Sequence, residues 1–475
     1  MSKEKEYIKN TVILLIGKFS TQIVSFLLLP LFTYKLSADN YGYVDLLQTY
    51  ISLIAPVVLL QLDSAIFRFL IDNRSNKNEN KKIISTSFFC MIILLILIIG
   101  IVILINSIVK INYFYYIVLS IYALVISNYF MAIARGKGNN KIYSIASILG
   151  SISNLIINVV LIMILKMDAK SILVASIISN LISSIYVFLK EKIYLDIKIC
   201  ECNFNYLRKM LKYSIPMIPN VLSWWIVGLS DRTIIVKFLS TAANGIYSVS
   251  CKFSNLLNSI YSIFNMSWQE MVSLHINAED AHEFISKMMT NIFDLFVVAS
   301  CIIIGIMPMI FNIVIGENYL EAYNYIPILL LGNIFNVLVG LLGGIYVAKK
   351  MTMKVATTTI WSAIINILIN LIFIKQFGLY ATCISTFFSY FIMAIYRYYD
   401  IRKYIEIKLQ LKETIKYMVL FLIISVVYYF NLNIVSLIFT IIILIIYVKD
   451  NFTLIKETLN KVIKKIKGKL KENSI

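Results

Sequence analysis

The chain has 475 residues, 60% of them apolar and only 15% charged, with a net charge of +19. Soluble domains run about 45–50% apolar and about 25% charged, so a water-soluble fold is excluded and lipid must be the solvent for much of the surface. The positive balance does not point to nucleic acid, because the Lys and Arg sit in short connections between apolar runs.

A helix that crosses a bilayer needs about 20 apolar residues. That measure predicts an all-α polytopic membrane protein with about fourteen transmembrane helices, over 12–34, 41–67, 83–106, 113–133, 142–165, 171–189, 213–237, 243–271, 286–314, 323–347, 353–374, 378–397, 413–430 and 432–448. The charged start Met1–Asn10 is followed by an apolar run without a small-residue cleavage site, which reads as a first span and not a signal peptide. Lys and Arg alternate with the crossings. Lys3, Lys5 and Lys9, the loops at 74–82, 135–141 and 190–212, Lys287, the loops at 349–354 and 397–412, and the tail share one side. The opposite loops carry only Lys35, Lys110, Lys166, Lys170, Lys237 and Lys375. The positive-inside rule then puts both termini in the cytoplasm. All six prolines lie in or beside apolar runs. Proline removes a backbone hydrogen bond, and membranes tolerate this where neighbours or water satisfy the freed carbonyl, so bent helices around a cavity are expected.

A repeat is visible. Leu36-Ser37 with Gly42 recurs as Leu239-Ser240 with Gly245, an offset of 203 residues. Asn154 and Asn158 recur as Asn366 and Asn370, an offset of 212. Six spans per copy is an even number, so the copies are parallel repeats. The expected organisation is a six-helix bundle in 1–200, a second in 201–400, two additional helices in 401–450 and a basic cytoplasmic tail in 451–475. In that tail Phe452, Ile455, Leu459, Val462, Ile463, Ile466 and Leu470 fall at three- and four-residue steps among lysines, the pattern of an amphipathic helix on an anionic leaflet or of a solvated basic tail.

Soluble-enzyme chemistry is missing from the motifs. There is no Gly-x-x-x-x-Gly-Lys-Ser/Thr loop. The six cysteines are scattered, and His275 and His282 share a loop without metal-ligand spacing. No metal or cofactor is expected. What remains is charge at membrane depth, where an ionised side chain costs at least about 2.5–3.5 kcal/mol and faces a cavity or a partner. The candidates are Lys18, Asp231, Arg232, Lys252 and Asp294. Asp231 and Lys252 share a similar depth on adjacent spans and are a candidate pair. Arg232 lies about 100° round the helix from Asp231. Asp45, Asp63 and Glu270 sit toward span ends and read as interfacial. Trp224, Trp225, Trp268 and the asparagine pairs read as packing or helix bridges.

The segment Tyr213-Ser-x-Pro216-x-x-Pro219, with Asp231-Arg232, Leu239-Ser240, Gly245-x-Tyr247 and Lys252, resembles the start of the second half of polysaccharide repeat-unit flippases. These are the Wzx-type members of the oligosaccharide flippase branch of the multidrug/oligosaccharidyl-lipid/polysaccharide superfamily. Leu36-Ser37, Tyr41-Gly42 and Arg135-Gly136 resemble that group as well, over about Ile8 to Tyr398. The resemblance implies two bundles in a V with alternating access, in the bacterial cytoplasmic membrane, and a transporter instead of an enzyme. The implied cargo is an oligosaccharide on undecaprenyl pyrophosphate, carried from the inner to the outer leaflet, with a polysaccharide polymerase as a partner downstream. Lys18, Arg232 and Lys252 are then the candidates for the diphosphate, and Asp231 or Asp294 for ion coupling. The alternatives are a peptidoglycan-precursor (lipid II) flippase and a cation-coupled drug exporter. A polymerase or glycosyltransferase is disfavoured by short outer loops.

Overall fold

The computed structural model describes residues 3–108, 110, 112–408 and 410–452, without the side chains of 3–16, 18, 19, 101, 104, 105, 220, 223–228, 263 and 411. The basic tail beyond 452 and the side chains of Lys18, Trp224 and Trp225 therefore lie outside the described residues. Among those residues every regular element is helical.

The first half contains α1 (Lys3–Lys35), α2 (Ala38–Val58), α3 (Leu62–Asp72), α4 (Lys77–Ile108), α5 (Phe114–Gly136), α6 (Asn140–Val159) and α7 (Lys170–Lys190). The second contains α8 (Phe204–Ser214), α9 (Ile218–Phe238), α10 (Thr241–His275), α11 (Ala281–Val314), α12 (Ile326–Ala348), α13 (Thr352–Phe377) and α14 (Leu379–Ile401). Two more, α15 (Leu411–Tyr429) and α16 (Asn433–Asp450), pack on α11. Each of the fourteen expected spans meets a helix. Among the described residues nine are long and apolar enough to cross a membrane on that ground alone, and the bent pair α2–α3 makes a tenth. Ile96, Met163, Ile185, Trp361 and Ile372 point outward, as the surface of a protein dissolved in lipid requires.

Neighbour relations repeat between the halves. In the first, α1 packs on α6, α6 on α7, and α5 on both α7 and α3. In the second, α9 packs on α13, α13 on α14, and α12 on both α14 and α10. The same partners in the same chain order are what a parallel repeat gives.

Three expectations need correction. The span expected over 41–67 is broken, with α2 and α3 meeting at 50°. Leu60 and Gln61 are both left-handed (φ 51° and 54°), and the Gln61 N–H closes back on the Pro56 carbonyl at 3.0 Å. The span expected over 213–237 is preceded by a separate amphipathic helix, α8; a 3₁₀ turn at Ile215–Met217 with Pro216 joins them, and Pro219 lies in the first turn of α9. Arg397, counted above with loop charges, is only 2% exposed inside α14.

The two copies of the repeat motif meet. Ser37 caps α2 by accepting the Asn40 N–H, and Ser240 caps α10 by accepting the Ala243 N–H. Both serines satisfy a helix-end donor that would otherwise lack a partner. Five residues on, Gly42 and Gly245 lie where α2 crosses α10. A Cβ on Gly42 would fall on the Thr241 carbonyl, and one on Gly245 on the Ala38 carbonyl. Only glycine permits backbones this close. Asn244 seals the crossing by donating to the Gly42 carbonyl at 2.7 Å. The halves are thus joined tightly at the end where α2 and α10 begin.

Candidate functional site

Behind that closed end lie two cavities with a common wall. One, of about 460 Å³, runs between α1 and α10, with Thr21, Gln22 and Ser25 facing Lys252, Asn255 and Asn258. The other, of about 430 Å³, enters the first half between α1, α2, α5, α6 and α7. Thr21, Ser25 and Lys252 line both.

Lys252 sits eleven residues into α10, about 16 Å along its axis. Its ammonium donates to the Ser25 hydroxyl of α1 at 3.3 Å. Among the described residues no carboxylate lies within ion-pairing distance of it. A cation at this depth is costly unless something compensates it; the Asp45 carboxylate, already paired with Arg232, attracts it from beyond contact distance, and its remaining donors face the cavities.

Asp231 and Arg232 are adjacent in sequence and, about 100° apart round α9, reach different halves of the molecule. Asp231 is 2% exposed. It accepts from the Tyr247 hydroxyl at 3.0 Å, the Asn370 amide at 3.0 Å and the Thr386 hydroxyl at 3.1 Å. Its carboxylate is therefore held by neutral donors of α10, α13 and α14, and the candidate pairing with Lys252 is not formed. Arg232 turns to the first half and pairs with Asp45 of α2 at 2.7 Å. Ser248 of α10 donates to the same Asp45 oxygen. The carboxylate read as interfacial is thus the partner of a candidate headgroup cation. Asp294 is buried on the face of α11 that meets Thr414 of α15, away from the residues lining either cavity. The Lys18 side chain lies outside the described residues.

The other polar residues divide by half. Asn370 joins Asp231 to Thr382, and Asn366 reaches Ser385 and Thr386. Trp268 donates to the Leu341 carbonyl at 2.8 Å from a fully packed position. These are helix bridges, as expected.

Residues 7–268 match the family model described as polysaccharide biosynthesis protein. The chain belongs to that family. A Haemophilus influenzae protein called Lsg locus putative protein 1 is 43% identical over 61 residues, which is 13% of this chain and only 15% of that relative's length. The fold is shared with solved transporters. The lipid II flippase MurJ in an inward closed conformation superposes with a TM-score of 0.69, covering 94% of this chain and 100% of that one at 17% identity. An inward-facing multidrug resistance MATE family transporter of the MOP superfamily gives 0.67, covering 82% of this chain and 98% of that one at 15% identity. The resemblance read from Tyr213 to Lys252 therefore holds for family and for fold. The chain is a multi-pass membrane protein of the polysaccharide biosynthesis protein family, with the fold of these transporters.

Within this family member, sequence reasoning missed Asp45, Ser248 and Arg397. The repeat offset held a signal for two of them. Advancing Asp45 by the 203 residues that separate Leu36 from Leu239 lands on Ser248, so the two occupy equivalent places on helices that cross at the axis.

Proposed function

We propose that the protein is a flippase for a lipid-linked oligosaccharide. It carries a repeat unit on undecaprenyl pyrophosphate from the inner to the outer leaflet of the bacterial cytoplasmic membrane, with both termini in the cytoplasm, for surface polysaccharide synthesis. The observation that carries this reading is Lys252, a cation that makes no carboxylate contact among the described residues and stands at the wall common to both cavities. A pyrophosphate and its sugars cannot enter about 30 Å of hydrocarbon unaided. An ammonium in a polar cavity offsets that penalty, while the prenyl tail stays in lipid between the halves. The closed crossing of α2 and α10 lies on the side assigned to the outer face, which makes this an inward-accessible state. Rocking of 1–200 against 201–400 opens the other side. The protein performs no bond chemistry in this scheme and hands its cargo to a polymerase.

The test is complementation of a strain lacking this protein. Lys252→Ala is expected to insert in the membrane at normal abundance and to give no surface polysaccharide. Full polysaccharide in that strain would remove Lys252 from the mechanism. The fold shared with MurJ over nearly the whole chain favours one second reading, a lipid II flippase. Rescue of cells depleted of their own lipid II flippase would establish it.

A further inference from the structure

We propose that the first half holds the glycan, in a subsite for uncharged sugars formed by α1, α2, α5, α6 and α7. The inference rests on the flippase reading and adds where, and which kind of sugar, the protein recognises.

The two halves descend from one pattern and use their polar residues differently. In the second half the asparagines and hydroxyls around α13 and α14 bond to one another and to Asp231. Asn333 and Asn258 likewise bond to each other, and Asn333 also to the Ser254 carbonyl. Around Asp231 these groups are used within the protein, while Asn258 also borders the 460 Å³ cavity. In the first half Asn154 donates to Ser179 and accepts from Asn158, and Asn180 donates to Ser176, but Asn154, Ser176, Ser179 and Asn180 also border a cavity. Asn154, the repeat counterpart of Asn366, lines the 430 Å³ cavity together with Ser147, Ser151, Ser176 and Asn180. Across from them stand Gln48 of α2 and Ser127 and Asn128 of α5. The side chains of these three have no hydrogen-bond partner among the described residues. A polar group that faces a cavity and lacks a protein partner is satisfied by water or by ligand. Two amides and a hydroxyl offer the mixed donors and acceptors that sugar hydroxyls and acetamido groups match.

Charge sets the sugar class. Lys252 is the single charged side chain among the described residues lining this cavity, and it stands at the wall common to both cavities. A diphosphate on Lys252 puts the first sugar, which is bonded to it, directly into the cavity mouth. With Lys252 so engaged, a uronate carboxylate farther in would be desolvated without a counter-ion, which is unfavourable by several kcal/mol. Neutral hexoses and N-acetylhexosamines meet only amides and hydroxyls. The volume falls within the range of about 300–1,000 Å³ typical of small-molecule sites.

The experiment measures binding to the purified full chain in nanodiscs with three probes. These are undecaprenyl pyrophosphate, the same carrier bearing one N-acetylglucosamine, and the carrier bearing one glucuronic acid. Wild type is expected to bind the N-acetylglucosamine form at least tenfold tighter than either other probe. The double variant Gln48→Leu/Asn128→Leu is expected to lose that tenfold preference while still binding the bare carrier. Lys252→Ala is expected to weaken all three. The isosteric Asn128→Asp serves if the leucine variant unfolds, and it too should lose the preference. An unchanged preference in a folded variant overturns the subsite. So does equal wild-type binding of the bare and sugar-bearing carriers, which leaves the flippase reading standing. Wild-type binding of none of the three overturns both.

Discussion

Asp45 on α2 accepts the Arg232 Nε–H of α9 at 2.7 Å, and Ser248 on α10 donates to the same carboxylate oxygen. This ion pair joins the halves beside the crossing of Gly42 and Gly245. In the proposed transport cycle, opening that end of the molecule must pull the partners apart. The pair also explains why Arg232 is ill placed to hold a headgroup in this state: its charge is already matched.

Removing one member of a nearly buried pair strands the other, at a cost of about 3–5 kcal/mol where burial is complete. Both side chains here keep about an eighth of their exposure, so about 2–3 kcal/mol is expected for Asp45→Ala or Arg232→Ala. A double-mutant cycle on thermal unfolding of purified protein should show strong coupling, with the double variant more stable than the sum of the singles predicts. Additive effects would mean that the pair contributes nothing to closure.

Any side chain at Gly42 collides with backbone of α10. Gly42→Val is therefore expected to force the crossing apart. A cysteine placed at Ala38 on a cysteine-free background should react with maleimide several-fold faster in that variant than with Gly42 intact. Equal rates would show that the crossing is looser than its geometry indicates.

Two intramembrane cations predict opposite stability outcomes. Among the described residues Lys252 makes one hydrogen bond, to Ser25, so Lys252→Met should leave the unfolding midpoint unchanged while abolishing surface polysaccharide. The Arg397 guanidinium bonds to the Val339 and Val355 carbonyls and to the Thr358 and Thr359 hydroxyls. Arg397→Met strands these acceptors, each worth about 1–3 kcal/mol when buried. It should lower stability sharply. A midpoint loss with Lys252→Met equal to that with Arg397→Met contradicts the assignment of one to ligand and the other to scaffold.

Asp294 is shielded by α15, where Thr414 is beside it, and α16 docks by setting Thr440 against Gly305. Truncation after Lys408 would turn the Asp294 face to lipid, at about 2.5–3.5 kcal/mol for the charged form. The truncated chain should accumulate poorly in membranes, and Asp294→Leu should restore its abundance. A truncated chain that accumulates normally without the second change would place Asp294 elsewhere than under α15.

Much of the fold was legible because run length and repeat offset are one-dimensional. The helical spans, the duplicated Leu-Ser–Gly motif and the separate directions of Asp231 and Arg232 all follow from counting along the chain. The break at Leu60–Gln61 was not, because neither residue favours the left-handed region and the signal lies in Pro56, whose carbonyl closes the turn. Arg397 was misread for a different reason. Its charge count resembles that of the loop beside it, and only the packing of α14 against α12 and α13 brings oxygen acceptors to it. Asp45 needed the register between α2 and α10, which depends on two helices almost two hundred residues apart.

The crossing at Gly42 and Gly245 has one more property. Under the offset of the repeat, Ala38 corresponds to Thr241, and the contacts are reciprocal: Gly42 meets Thr241, and Gly245 meets Ala38. That is an isologous contact, the kind a homodimer makes about a twofold axis, folded here into one polypeptide. Each half therefore presents a surface complementary to its own copy, and the differences between the copies carry charge: Asp45 faces Ser248, and Lys252 stands where the first half has Thr49.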